Sequence, residues 1–151
     1  MMRISKKLLF AIEAVLDIAY HSGGDPVQSS AITRRQKIPK RYLEQVLQHL
    51  VRTGILTGVR GVRGGYRLAR ERRRISLGDI TRVVRAMETS PDPLQDAAGS
   101  ELGHQILRPI WADLIEETMA RLDAITLEDL CNRSNAAGIA SEAVERVDFS
   151  I

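Results

Sequence analysis

Cysteine is almost missing from this chain. One thiol in 151 residues excludes a disulfide framework, and it excludes a cluster or zinc site built from several thiolates of one chain. Aromatics make up only 4%, with a single Trp, too few for the stacking platforms that hold single-stranded nucleic acid. No stretch approaches the roughly 20 apolar residues needed to span a bilayer. The basic-then-apolar start is interrupted by Glu13 and Asp17 and lacks a small-residue cleavage site, so it does not read as a signal peptide. Nor is there a nucleophile–base pair, a phosphate loop or a paired-carboxylate site, which argues against an enzyme. What remains, 44% hydrophobic and 27% charged, suits a soluble, cytoplasmic globular protein.

The net charge of +3 conceals an uneven distribution. Residues 1–85 hold 18 of the 22 Lys and Arg but 6 of the 19 Asp and Glu, a balance of +12; residues 86–151 carry −9. Such a split points to one part that faces a polyanion and another with a separate task. A membrane surface is a poor candidate for that polyanion, because the first and third helices lack a basic face opposite a wide lipid-facing one.

The apolar spacing of Leu8, Ile12, Val15, Leu16 and Ala19 predicts a helix from an N-cap at Ser5 to Tyr20. After the breaker at residues 22–26, a short helix capped by Ser29 or Ser30 runs to Gln36. Pro39 then opens a third helix that reaches Thr53. On that helix Leu43, Val46, Leu47 and Leu50 share one face, while Arg41, Glu44, Gln45, Gln48 and Arg52 share the other. Gly54 ends it, and residues 55–60 and 65–69 read as two strands around Gly61-Val62-Arg63-Gly64. Ser76-Leu77-Gly78-Asp79 matches a capping box before a fourth helix, and residues 90–100 form a polar linker. Residues 101–124 again read as helical, with a break or kink at Pro109 and the long helix starting near it, and Thr126 caps a final short one.

This order, helix–turn–helix followed by a glycine-tipped hairpin, is a winged helix-turn-helix. The fold class is mainly α with a small β-hairpin wing, plus a long C-terminal helix. An α-helix fits the major groove, where Arg suits guanine, Gln suits adenine and Glu accepts from cytosine. Arg41, Glu44, Gln45 and Gln48 therefore become candidate base-facing residues, and Arg60 and Arg63 on the wing reach the backbone or an adjacent minor groove. The competing reading of Glu44 is a plain surface pair with Lys40 or Arg41. His49, at the edge of the polar face, is placed to touch phosphate.

Three segments make the resemblance specific: Tyr42-Leu43-Glu44-Gln45-Val46-Leu47, then Arg60-Gly61-Val62-Arg63-Gly64-Gly65-Tyr66, then Thr126-Leu127-Glu128-Asp129-Leu130. With Met2-Arg3-Ile4-Ser5 and Ile75-Ser76-Leu77-Gly78-Asp79-Ile80 they cover residues 2–130 in order, and the chain resembles the Rrf-two family of bacterial transcription regulators. That resemblance implies a homodimer in which long C-terminal helices cross. It also implies that Tyr42 and Glu44 lie in the recognition helix, Glu44 reading a base, and that Arg60 is the wing arginine of the minor groove. Lys7-Leu8-Leu9-Phe10-Ala11 and Lys40-Arg41 depart from the usual family pattern near the DNA, so the operator sequence does not carry over.

The larger departure is in the sensor. Cluster-binding members have three cysteines in the linker; residues 91–100 have none, and a further histidine ligand of some members aligns with Arg108. No iron–sulfur cluster and no metal is expected. The reading places a DNA-binding domain at 1–88, a linker or sensor loop at 89–100, dimerisation helices at 101–136 and a flexible tail at 137–151. Trp111, Leu114, Ile115 and Leu122 are the expected dimer contacts. Cys131 reads first as a buried, inert thiol, with an interchain redox switch as the alternative. The function that follows is a homodimeric repressor on a pseudo-palindromic operator in double-stranded DNA. Its small-molecule effector is unidentified, and control by a bound partner protein is the competing hypothesis.

Overall fold

The structure, a computed structural model, describes residues 3–88 and 90–143. Helix α1 (Lys6–His21) starts at Ser5, whose hydroxyl accepts from the Leu8 amide at 3.1 Å. It runs through the centre of the domain, with Ala11, Ala14, Val15 and Ile18 fully covered. Against it pack α2 (Ser29–Gln36), α3 (Lys40–Arg52) and α4 (Leu77–Met87). Ile32, Leu43, Leu47, Leu50, Ile75 and Ile80 complete the core. Each such aliphatic side chain contributes about 2 kcal/mol by leaving water.

Helix α2 does not begin as the serines suggest. Val27 exchanges two 2.8 Å backbone hydrogen bonds with Tyr66, so the chain stays extended until Gln28, which takes the N-cap position with no side-chain cap. Ser29 and Ser30 fall inside the first turn. Lys37, at φ +55°, closes α2 and directs the chain through buried Ile38 to Pro39, the N-cap of α3.

The wing is an antiparallel hairpin of β1 (Leu56–Val59) and β2 (Gly65–Leu68), in register from Leu56 opposite Leu68 to Val59 opposite Gly65. Val27 adds a third rung beyond β2. That close approach requires Gly65: at φ +153° a Cβ would sit 2.4 Å from the Val27 carbonyl oxygen.

The long helix starts at Arg108, beside Pro109, as the sequence predicts, but no break precedes it. Helical structure begins at residue 101 and continues through a π-helical turn, Gly103–Leu107, into α5 (Arg108–Asp123). The wider turn, with the Arg108 amide bonded to the Gly103 carbonyl, accommodates a pyrrolidine ring that would clash in an α-helical ladder. Helix α5 is tied to α4 by Arg82, whose guanidinium donates to both Asp123 oxygens at 2.8 and 2.6 Å. Gly78 permits this contact, since a Cβ there would lie 1.8 Å from the carboxylate.

Helix α6 (Leu127–Ala136) returns to the winged domain. Two capping boxes, Ser76 with Asp79 and Thr126 with Asp129, face each other across a backbone bridge. Leu127 and Cys131 enter the main core. The segment 127–136, which the sequence groups with the dimerisation helices, is thus packed within the winged domain. The expected flexible tail is described only to residue 143; the remainder lies outside the described residues.

Candidate nucleic-acid interface

Helix α3 follows from its own periodicity: Leu43, Val46, Leu47 and Leu50 are buried, which turns the intervening polar side chains outward. Arg41, Gln45 and Gln48 are exposed and Glu44 is half-buried. Glu44 forms no ion pair with Lys40 or Arg41 among the described residues. Its carboxylate is available as an acceptor, and the surface-pair reading loses its support.

Tyr42 lies elsewhere. Its ring meets Phe10 edge-on, with centroids 5.7 Å apart, and its hydroxyl is shielded without a hydrogen-bond partner among the described residues. Burial pushes the phenol above its ordinary range. The side chain therefore ties α3 to α1, a role that a sequence window around one helix does not reveal. His49 Nε2 is likewise shielded and unpartnered, not turned to solvent as a phosphate contact. Tyr42→Phe is expected to keep or slightly raise thermal stability, because it deletes an unsatisfied buried hydroxyl, and to leave DNA affinity unchanged. A loss of about tenfold in affinity for the phenylalanine variant would show instead that the hydroxyl meets the duplex.

The wing lies beside this helix. Val62, at its tip, is 96% exposed, and its carbonyl accepts from Gln28 Nε2 at 3.2 Å, which links the tip to the start of α2. Arg60 and Arg63 are exposed and without an acidic partner among the described residues. Two cations on a wing and an acceptor–donor row on the adjacent helix form one continuous surface suited to phosphate and base edges.

Beneath that surface lies an ion pair that the sequence does not announce. The Asp17 side chain is wholly buried; Arg35 donates to its two oxygens at 2.9 and 2.7 Å, and Gln36 at 2.7 Å. Asp17, with Glu142 behind it, holds the Arg35 guanidinium still more firmly protonated. The pair fixes α2 against α1.

At the other end, α5 exposes an apolar row. Leu102 is 76% exposed and Trp111 43%, with Ile106, Leu107, Ile110 and Leu114 between and beyond them also open. Ile115 and Leu122 are half-buried. The linker wraps around Arg108, whose guanidinium donates to the carbonyls of Leu94 (3.3 Å), Asp96 and Ala98. His104 Nε2 lies 3.2 and 3.1 Å from the carbonyl oxygens of Ala97 and Ala98. Cys131 lies in the core cluster instead: burial pushes its thiol up, opposed by the Arg72 guanidinium. Among the described residues no group of three His, Cys, Asp or Glu side chains is placed to hold a metal ion, and no helix is long and apolar enough to cross a membrane.

The Rrf2 family model, described as "Iron-dependent Transcriptional regulator", matches residues 4–133. The HTH-type transcriptional regulator IscR of Yersinia pseudotuberculosis is 35% identical over 142 residues, covering 92% of this chain and 85% of that protein. Among solved structures, IscR of T. potens superposes with a TM-score of 0.73 at 32% identity and covers 93% of both chains. CymR, the global cysteine regulator of B. subtilis, gives 0.67 at 30% identity, over 88% of this chain and 98% of its own.

Proposed function

Because the chain belongs to the Rrf2 (Rrf-two) family of transcriptional regulators, a non-enzymatic family, we propose that it is a homodimeric repressor that binds a pseudo-palindromic operator. The observation that carries this reading is the polar row on α3 set beside the exposed arginines of the wing, none of them in an ion pair among the described residues. Glu44 and its neighbours Arg41, Gln45 and Gln48 read base edges in the major groove, while Arg60 and Arg63 neutralise phosphate or enter the minor groove. The exposed row on α5 supports pairing of two copies, which sets the distance between recognition helices at about one helical turn of DNA, roughly 34 Å, or a multiple.

The family description names iron, and the donors of this chain do not fit a thiolate-held cluster. Its one thiol is buried in the winged core, and the linker presents backbone carbonyls already engaged by a guanidinium. The repressor therefore works without a Cys-ligated cluster in this reading. Anaerobic incubation with iron and sulfide is expected to yield no stoichiometric visible chromophore; a cluster that forms and survives gel filtration overturns this part. The buried, upward-shifted Cys131 thiol favours the inert role over the redox switch.

Selection of bound DNA from a random pool tests the main reading. Glu44→Ala is expected to relax sequence preference at one position of each half-site more than it lowers overall affinity. Arg63→Ala should lower affinity on all sequences and flatten the salt dependence by about one unit of log–log slope per half-site. Equal loss on every sequence from Glu44→Ala would remove its base-reading role.

A further inference from the structure

A cavity of 690 Å3 opens between the end of α1, strand β2, the segment 70–72, helix α6 and residues 141–143. Its size matches pockets that enclose small organic ligands. Arg67, Arg70 and Arg72 line it, with the carboxamides of Asn132 and Asn135 and the hydroxyl of Ser141. Neither Arg67 nor Arg72 has an ion-pair partner among the described residues, and Arg70 reaches only Asp79, at 3.8 Å. Two acids, Asp25 and Glu71, stand on the wall against the three arginines, and Glu71 is held by Arg73 at 2.5 Å. Positive charge is in excess, and the guanidinium fork matches carboxylate and phosphate oxygens. Ala19, Leu68 and Ala143 supply an apolar side.

The same cavity borders a strap that leads to the DNA-binding motif. Tyr20 donates its hydroxyl to the Ile139 carbonyl, Ser141 donates to the Tyr20 carbonyl at 2.6 Å, and the Glu142 amide donates to His21 Nδ1 at 3.1 Å. The Glu142 carboxylate then accepts from Arg35 at 2.6 Å and from Arg34 at 3.3 Å, both on α2. Arg34 is 68% exposed, on the first helix of the helix-turn-helix, the helix that crosses the phosphate backbone in such motifs.

We propose that this cavity is the effector site, that it takes a small organic dianion, and that occupancy is transmitted to α2 through Ser141 and Glu142. The transmission half rests on the operator-binding reading above. A ligand that engages Arg72 and Ser141 holds the strap in place, keeps Arg34 paired with Glu142, and so withdraws one cation from the phosphates.

Calorimetric titration of the full chain, without DNA, with succinate and separately with glycerol 3-phosphate distinguishes a dicarboxylate from a phosphomonoester. Saturable binding of one probe is expected, weakened about tenfold or more by Arg72→Gln or Asn132→Ala and unchanged by Arg85→Gln, an exposed α4 side chain outside the cavity lining. Saturating that probe should lower operator affinity by about fivefold or more, and Glu142→Gln should abolish this drop while the probe still binds. No saturable heat from either probe, or binding indifferent to both cavity variants, overturns the site even where operator binding is normal. Binding that leaves operator affinity unchanged overturns the transmission. Should the chain bind no operator at all, the DNA reading fails and the titration still decides the cavity.

Discussion

Arg35→Ala is expected to destabilise the protein by about 3–5 kcal/mol, the cost of leaving a buried carboxylate with its charge partner removed. Asp17 is fully covered and receives three side-chain donors, two of them from Arg35; only Gln36 remains in the variant. Against a total stability of about 5–15 kcal/mol for an ordinary domain, that is a large share, and Tm should fall by roughly 10 °C or more. The complementary variant makes the cause separable. Asp17→Leu combined with Arg35→Met replaces both charges by apolar groups of similar volume and is expected to recover most of the loss. Chemical denaturation read by far-ultraviolet circular dichroism measures both. If the double variant is as unstable as Arg35→Ala, the penalty comes from lost packing and the ion-pair account is wrong.

That pair also shows where sequence reasoning stops. Helix α3 was legible because its apolar residues recur at helical spacing and burial on one face decides exposure on the other. The two capping boxes were legible because Ser or Thr three residues before Asp encodes a local hydrogen bond. Asp17, in contrast, reads as a polar interruption of an apolar stripe, and its partner lies 18 residues away on another helix. The resemblance puts Tyr42 in the recognition helix, where it lies, while its place against Phe10 is set by how α1 crosses α3. The start of α2 depended on a backbone bridge between Val27 and Tyr66, a contact with no side-chain signature. Pro109 signalled a break, which the π-helical turn absorbs. The single-cysteine count was informative from the outset, because donors that are absent from the sequence need no geometry to be ruled out.

On the proposed homodimer reading, Trp111→Glu combined with Leu114→Glu is expected to convert the protein to a monomer and to lower operator affinity by about a hundredfold or more. Both side chains are exposed within the row that runs from Leu102 through Ile106, Leu107 and Ile110. A contiguous apolar helix face of this length is uncommon on a monomer and marks an interaction surface. Two carboxylates on each facing helix would oppose one another across the seam. The loss on DNA follows from linkage of two half-sites: in the dimer the second recognition helix binds at an effective concentration near millimolar, worth about 10²–10⁴ in affinity. Because both side chains are exposed and lie outside the winged core, helix content and the core should be retained. Ile115 and Leu122, half-buried on a helix that also packs against α4, are the contrasting positions; Leu122→Glu should cost stability before it costs assembly. Sedimentation equilibrium gives the mass, and titration of a fluorescent operator and of an isolated half-site gives the two affinities. Half-site affinity should be nearly equal for wild type and the double variant. A double variant that remains dimeric, or a monomer that binds the whole operator as tightly as wild type, would show that α5 does not set the spacing of the recognition helices.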